Sequence, residues 1–67
     1  ADQYALISYL GGQAEEFDAR SASAALLSRL KPELSVLLLR NILDRYPRFA
    51  AEAGVQAFMR KHHQLVS

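Results

Sequence analysis

Hydrophobic residues recur along most of the chain at the three- and four-residue spacing of α-helices, and glycine and proline divide this pattern into segments. The pattern predicts a short N-terminal helix and three longer helices, over residues 2–10, 19–30, 32–46 and 48–65. No segment alternates apolar and polar residues as a strand does. The connections after the second helix are only one or two residues long, which favours antiparallel neighbours. We therefore predict an all-α fold, a small antiparallel helical bundle.

Capping residues and prolines set the ends of the predicted helices. Asp2 and Asp18 have side chains typical of N-cap residues, and Gly11–Gly12 is expected to end the first helix. Pro32 suits the first turn of the third helix, where its missing N–H is not needed. Pro47 disfavours helical geometry in the residue before it and is expected to separate the third helix from the fourth.

The third predicted helix carries more leucine than one buried face needs. Its main apolar arc covers roughly 160° of the helix circumference. The residues of this arc are Val36, Leu38, Leu39, Ile42, Leu43 and Tyr46. Leu34 and Leu37 lie outside the arc, among polar side chains. Two interpretations stay open: the helix is central and contacted on nearly all sides, or these two leucines belong to an exposed patch.

The exposed patch, if it forms, predicts a protein-interaction surface with an apolar centre and a polar rim. Two tyrosines near the start of the chain are further candidate anchors, because a tyrosine combines an apolar ring with a polar hydroxyl. The predicted partner-binding residues are Leu34, Leu37, Arg40, Asn41, Asp44, Tyr4 and Tyr9. We expect docking through a helix face, with another protein or a second copy of the chain as the partner.

The size of the chain limits how much core it can build. A domain of 67 residues hides only about 60% of its unfolded surface, so we expect one domain, over residues 1–67, of marginal stability. The absence of cysteine excludes a disulfide framework and a thiolate metal site, so regular helix packing or a partner must stabilise the fold. A chain without cysteine is compatible with any compartment, and the cytoplasm is the default expectation. Because the sequence begins with Ala1, we expect an excised, trimmed or processed chain.

The charge balance gives little reason to expect a nucleic acid or an anionic membrane as partner. Eight Lys and Arg residues against seven Asp and Glu residues leave a net charge of +1. No apolar run approaches the ~20 residues of a membrane-spanning helix. The alternative function is a small helical nucleic-acid-binding domain, if folding gathers the cations on one side. The cations that this alternative uses are Arg40, Arg45, Arg48, Arg60 and Lys61.

No group of residues indicates catalysis, a cofactor, a metal or a small-molecule substrate. His62 and His63 are adjacent, so on one helix they point ~100° apart and do not grip one ion together. His62 is expected at the boundary of the core. Glu15, Glu16 and Asp18 are expected in a solvated turn, without the pocket that acid–base chemistry needs. We therefore predict a non-enzymatic interaction module, such as an adaptor, a small chaperone or a regulatory or assembly domain.

Overall fold

In the computed structural model, which describes residues 2–66, the chain is helical and those residues form no strand. This confirms the predicted all-α class. The helices are α1 (Gln3–Gly12), α2 (Glu16–Leu26), α3 (Pro32–Arg45), a 3-10 helix (Pro47–Ala51), α4 (Ala53–Lys61) and α5 (His63–Val66). The central element is α3, which packs against α1, α2, the 3-10 helix and α5.

The first helix begins as predicted but does not stop before its glycines. Asp2 caps it, and one carboxylate oxygen of Asp2 accepts a hydrogen bond from the backbone N–H of Tyr4 at 2.9 Å. The helix continues through Gly11 and Gly12, and the N–H of Gln13 donates to the carbonyl of Tyr9 at 2.8 Å. Glycine costs helix propensity, but tertiary packing of α1 on α3 overrides that cost.

The second helix begins three residues earlier than predicted. Its N-cap residue is Glu15, in extended geometry, and Asp18 lies inside the first turn. The prediction of Asp18 as the N-cap is therefore wrong, although a carboxylate in the first turn still suits the positive end of the helix dipole. Ala14, two residues before α2, is buried, and its packing holds the short connection between α1 and α2 against the core. The helix ends at Leu26, and residues 27–30 form the turn into α3.

The third helix lies close to its predicted bounds, with Pro32 in its first turn and its end at Arg45. The arc that was predicted to be apolar faces the core. Its fully buried members include Leu38 and Ile42, and Ser35 is buried among them. The hydroxyl of Ser35 donates to the carbonyl of Leu27 at 3.1 Å, which satisfies a backbone acceptor at the C-terminal end of α2. The core-facing residues of α3 thus lie on one face of the helix.

The prediction of one continuous fourth helix is wrong, because the chain breaks twice in this region. A 3-10 helix is followed by extended geometry at Glu52 (φ −71°, ψ 142°). The helix α4 ends at Lys61, and His62 leaves helical geometry (φ −121°, ψ 39°) before α5 begins. Phe49 and Val55 are both completely buried. On one helix, residues six apart point about 120° away from each other. The break at Glu52 therefore lets both side chains reach the core.

Candidate interaction surfaces

The two leucines outside the apolar arc have different environments. Leu37 is 37% exposed, whereas Leu34 is half-buried and packs against the core. Glu33, which precedes Leu37 by four residues, and Arg40 and Asp44, which follow it by three and seven, are exposed and share its side of α3. We call Glu33, Leu37, Arg40 and Asp44 the Leu37 stripe. It is a single exposed leucine between charges of both signs.

Asn41, a predicted rim residue, takes part in the packing of α1 on α3. It is half-buried, and its Cβ and Cγ atoms lie where a side chain on Gly11 would have to stand. The absence of a side chain at Gly11 is what lets the two helices approach here. At Asn41, therefore, α1 lies next to the edge of the Leu37 stripe.

The two predicted tyrosine anchors lie on different sides of α1. Tyr4 is 62% exposed and precedes Gly11 by seven residues, close to two full helical turns, so it shares the side of α1 that faces α3. Tyr9 is 49% exposed and stands two residues from Gly11, so it points away from that side together with the exposed Leu6. Tyr4 can extend the Leu37 stripe, and Tyr9 belongs to a separate surface.

A second surface is a groove between α2 and α4, which the sequence did not predict. Its volume is about 520 Å³, and the apolar side chains that line it include Leu27 and Phe58. Ala24 and Ser28 line it from α2 and the following turn. A partial signal was present in the small residues of SASAALLS, which let another backbone approach closely. We call this feature the α2–α4 groove.

The ionisable residues that line the α2–α4 groove are both at the C-terminal end of α4. They are Lys61, which is exposed, and His62, which is half-buried. The imidazole ring of His62 lies on the ring of Phe58, with 4.6 Å between the ring centroids. The packing of His62 on Phe58 holds the imidazole beside the apolar lining of the groove.

An ion-pair network joins α2 to the 3-10 helix and to Glu52, the residue before α4. Arg20 donates to Glu52 at 2.9 Å and to Glu16 at 3.3 Å, and Arg48 approaches Glu16 at 3.2 Å. The hydrogen bond to Glu52 raises the pKa of the Arg20 guanidinium above its ordinary value. Glu16 was expected in a solvated turn, and the structure instead places its carboxylate between two guanidinium groups. The network has an evident structural role, because it ties the start of α2 to the segment before α4.

The cations of the nucleic-acid alternative differ in the side chains that they contact. Arg48 is paired with Glu16, and the guanidinium of Arg45 stands 5.0 Å from the ring centroid of Tyr46. Arg40 belongs to the Leu37 stripe, where acidic residues flank it. Arg60 and Lys61 are both exposed in the last turn of α4.

Within residues 2–66, no three His, Asp or Glu side chains are placed so that they could hold a metal ion. None of the helices in that part of the chain is long and apolar enough to cross a lipid bilayer. The sequence matches no protein-family model, and neither a curated protein nor a solved structure matches it.

Proposed function

We propose that the chain is a non-enzymatic interaction module, of the adaptor or assembly type, that pairs with a second copy of itself through the Leu37 stripe. The single observation that carries the proposal is the order of charges around Leu37. Glu33 stands four residues before the leucine and Arg40 three residues after it, and all three are exposed. An apolar residue between opposite charges matches the apolar centre and polar rim of protein interfaces.

The order of charges is self-complementary in one arrangement. A two-fold axis at Leu37 makes the two α3 helices antiparallel and brings the two leucines together. Each Arg40 then lies opposite Glu33 of the second copy. Each Asp44 approaches the N-terminal end of the other α3, where Lys31 is exposed and the helix dipole favours a carboxylate. Both electrostatic contacts occur twice, because the interface is isologous.

Tyr4 adds apolar area to this interface. It is seven residues before Gly11 on α1, and Leu34 is seven residues before Asn41 on α3. If α1 and α3 run in the same direction from the Gly11–Asn41 contact, Tyr4 lies at the same height along the helix pair as Leu34, next to the Leu37 stripe. The hydrogen bond from the Tyr46 hydroxyl to the carbonyl of Ala14, at 3.0 Å, supports this direction.

The antiparallel arrangement of the bundle belongs to the same proposal. Contacts at both ends of the α2–α3 pair support it. At one end, Ser35 in α3 bonds to the carbonyl of Leu27 after α2. At the other end, Glu16 in α2 pairs with Arg48 after α3. The start of one helix therefore lies near the end of the other, as in an antiparallel hairpin.

The experiment is the mass of the chain in solution, measured by light scattering on a sizing column up to about 1 mM protein, because an interface of this size is expected to be weak. The wild-type mass should rise from 7.5 kDa towards twice that value as the concentration increases. Leu37→Asp should remain monomeric with unchanged helical circular dichroism, since its side chain is at the surface. A wild-type chain that stays monomeric throughout overturns the proposal.

A further inference from the structure

The α2–α4 groove has a different chemistry from the Leu37 stripe. We propose that it binds an amphipathic helix of another protein, with apolar side chains in the groove and carboxylates at the end that reaches Lys61 and His62. None of the residues of the Leu37 stripe lines this groove. It gives the chain a second, heterologous partner.

The size and lining of the groove fit a set of apolar side chains. Its volume of about 520 Å³ falls within the range of ligand-binding pockets, which is roughly 300–1,000 Å³. Leu27 and Phe58 line its base and are themselves almost completely buried, and the more exposed Ala24, Leu30 and Ala57 contribute further apolar surface to the lining. The packing of α2 is chiefly against α1 and α3, so the groove side of α2 is left without extensive cover from the described helices. Filling it would remove apolar surface from water.

The groove also admits a backbone, and not only side chains. Ala24 lines it from α2, and Gly54 and Ala57 line it from α4. A Cβ atom placed on Gly54 would meet no other atom within 4 Å among the described residues, so this part of the groove is open space. Small residues three apart on a helix leave a shallow channel between the ridges of larger side chains, into which a helix can pack.

The charge of the lining selects the partner. The ionisable residues that line the groove are Lys61 and His62, and its lining includes no acidic residue. Arg29 and Lys31 are exposed and adjacent in sequence to lining residues of the turn. Glu33 is exposed beyond the lining residue Pro32, so the balance of these three charges stays positive. The carboxylates of Glu16 and Glu52 are held by arginines of the ion-pair network, away from this lining. An occupant with acidic residues is therefore complementary, and a basic one is repelled.

The secondary structure around the groove favours a helix as the occupant. Residues 2–66 contain no strand, so there is no sheet edge to which an extended peptide could add. Both long walls of the groove come from helices or the turn that follows one, which is the setting of helix-in-groove recognition. A second copy of this chain in the groove would make a heterologous contact, which builds rings or open-ended assemblies and not a simple pair.

The test is a titration of the ¹⁵N-labelled chain, followed by the amide resonances, with two synthetic peptides of about 15 residues. Both peptides carry leucines at helical spacing. One has glutamates in a terminal turn, and the matched peptide has lysines at the same positions. The acidic peptide should shift the resonances of Gly54, Ala57 and Lys61, and should bind at least about 10-fold more tightly than the basic one.

Three variants test whether the acidic peptide binds in the groove itself. Gly54→Leu fills the groove and should weaken binding of the acidic peptide by at least about 10-fold. Gly12→Leu is the matched control, because Gly12 is also an exposed helical glycine with open space beside it, and it should leave binding unchanged. Lys61→Glu, at an exposed position, should reverse the preference between the two peptides.

The outcomes that overturn the proposal are equally definite. They are no binding of the acidic peptide up to about 1 mM, equal binding of both peptides, or resonance shifts confined to the Leu37 stripe. If decanoate shifts the groove resonances and the acidic peptide does not, the groove is a site for a fatty acid and the proposal is wrong. Unchanged affinity of Gly54→Leu contradicts it as well.

Discussion

Gly11 of α1 lies directly against Asn41 of α3, so closely that a Cβ atom on Gly11 would stand 2.5 Å from the Cβ atom of Asn41. Two non-bonded carbon atoms do not approach so closely in a relaxed structure, so a side chain at Gly11 must push the helices apart. The contact lies at the edge of the Leu37 stripe. The close approach of α1 and α3 therefore determines how far Tyr4 stands from that stripe.

Gly11→Ala should destabilise the fold, by about 1–3 kcal/mol, because the clash outweighs the gain in helix propensity. Gly12→Ala is the matched control. Gly12 is also in α1, but a Cβ atom there meets nothing within 4 Å among the described residues. It should therefore stabilise the fold by about 0.4–1 kcal/mol. Urea denaturation measures both changes, and equal effects of the two substitutions would contradict the account of the helix crossing.

Ser23 and Ser35 are both completely buried, and they should respond to alanine with opposite signs. The hydroxyl of Ser23 has no hydrogen-bond partner within residues 2–66, whereas that of Ser35 donates to the carbonyl of Leu27. Ser23→Ala should stabilise the fold by about 1 kcal/mol, because it removes a buried unsatisfied polar group. Ser35→Ala should cost about 0.5–1 kcal/mol, because the hydrogen bond is lost.

Thermal and urea unfolding of the two serine variants check this prediction. Both substitutions gain similar helix propensity, so the difference between them reports whether each hydroxyl is hydrogen-bonded. Ser23→Ala proving less stable than wild type would mean that its hydroxyl is satisfied in solution, by water for instance.

Tyr46 closes the junction between α3 and the 3-10 helix. Its hydroxyl donates to the carbonyl of Ala14 at 3.0 Å, and its ring lies under the guanidinium of Arg45. Tyr46→Phe keeps the ring and removes the hydrogen bond, which should destabilise the fold by about 1 kcal/mol. Tyr4→Phe is the control, and its effect should lie within about 0.5 kcal/mol of zero, because this ring is largely exposed. A Tyr46→Phe variant as stable as wild type would argue against the hydrogen bond.

The elements that sequence predicted well are those set by local signals. The all-α class follows from hydrophobic periodicity, and the bounds of α3 follow from Pro32 and Pro47, which act on the backbone directly. The breaks around α4 follow from tertiary packing. Phe49 and Val55 are both buried in the core. One continuous helix would point their side chains in different directions, and this conflict becomes visible only when the position of the core is known.

The surfaces show the same division between local and tertiary causes. The helical wheel of α3 correctly separated Leu37 from the core-facing arc, because that arc depends on one helix alone. It did not separate Leu34, which packs against the core, from Leu37. The α2–α4 groove depends on the distance between two helices and on the break at Glu52. Neither quantity is encoded in a local pattern.

The central claim is that two copies pair through Leu37 with each Arg40 opposite Glu33 of the other copy. Arg40→Glu alone, and Glu33→Arg alone, place like charges opposite each other. Each variant should therefore weaken self-association by at least about 10-fold. Mixing the two variants restores opposite charges at both contacts of a mixed dimer. Both substitutions are at exposed positions, so unchanged circular dichroism serves as the control for folding.

The most direct measurement is therefore light scattering of the two single variants, separately and as an equimolar mixture, at a concentration where wild type is dimeric. We predict that each variant alone has a mass well below that of wild type, shifted towards the monomer value of 7.5 kDa, and that the mixture regains the wild-type mass. A mixture that stays monomeric, or single variants that dimerise as wild type does, would contradict pairing through the Leu37 stripe.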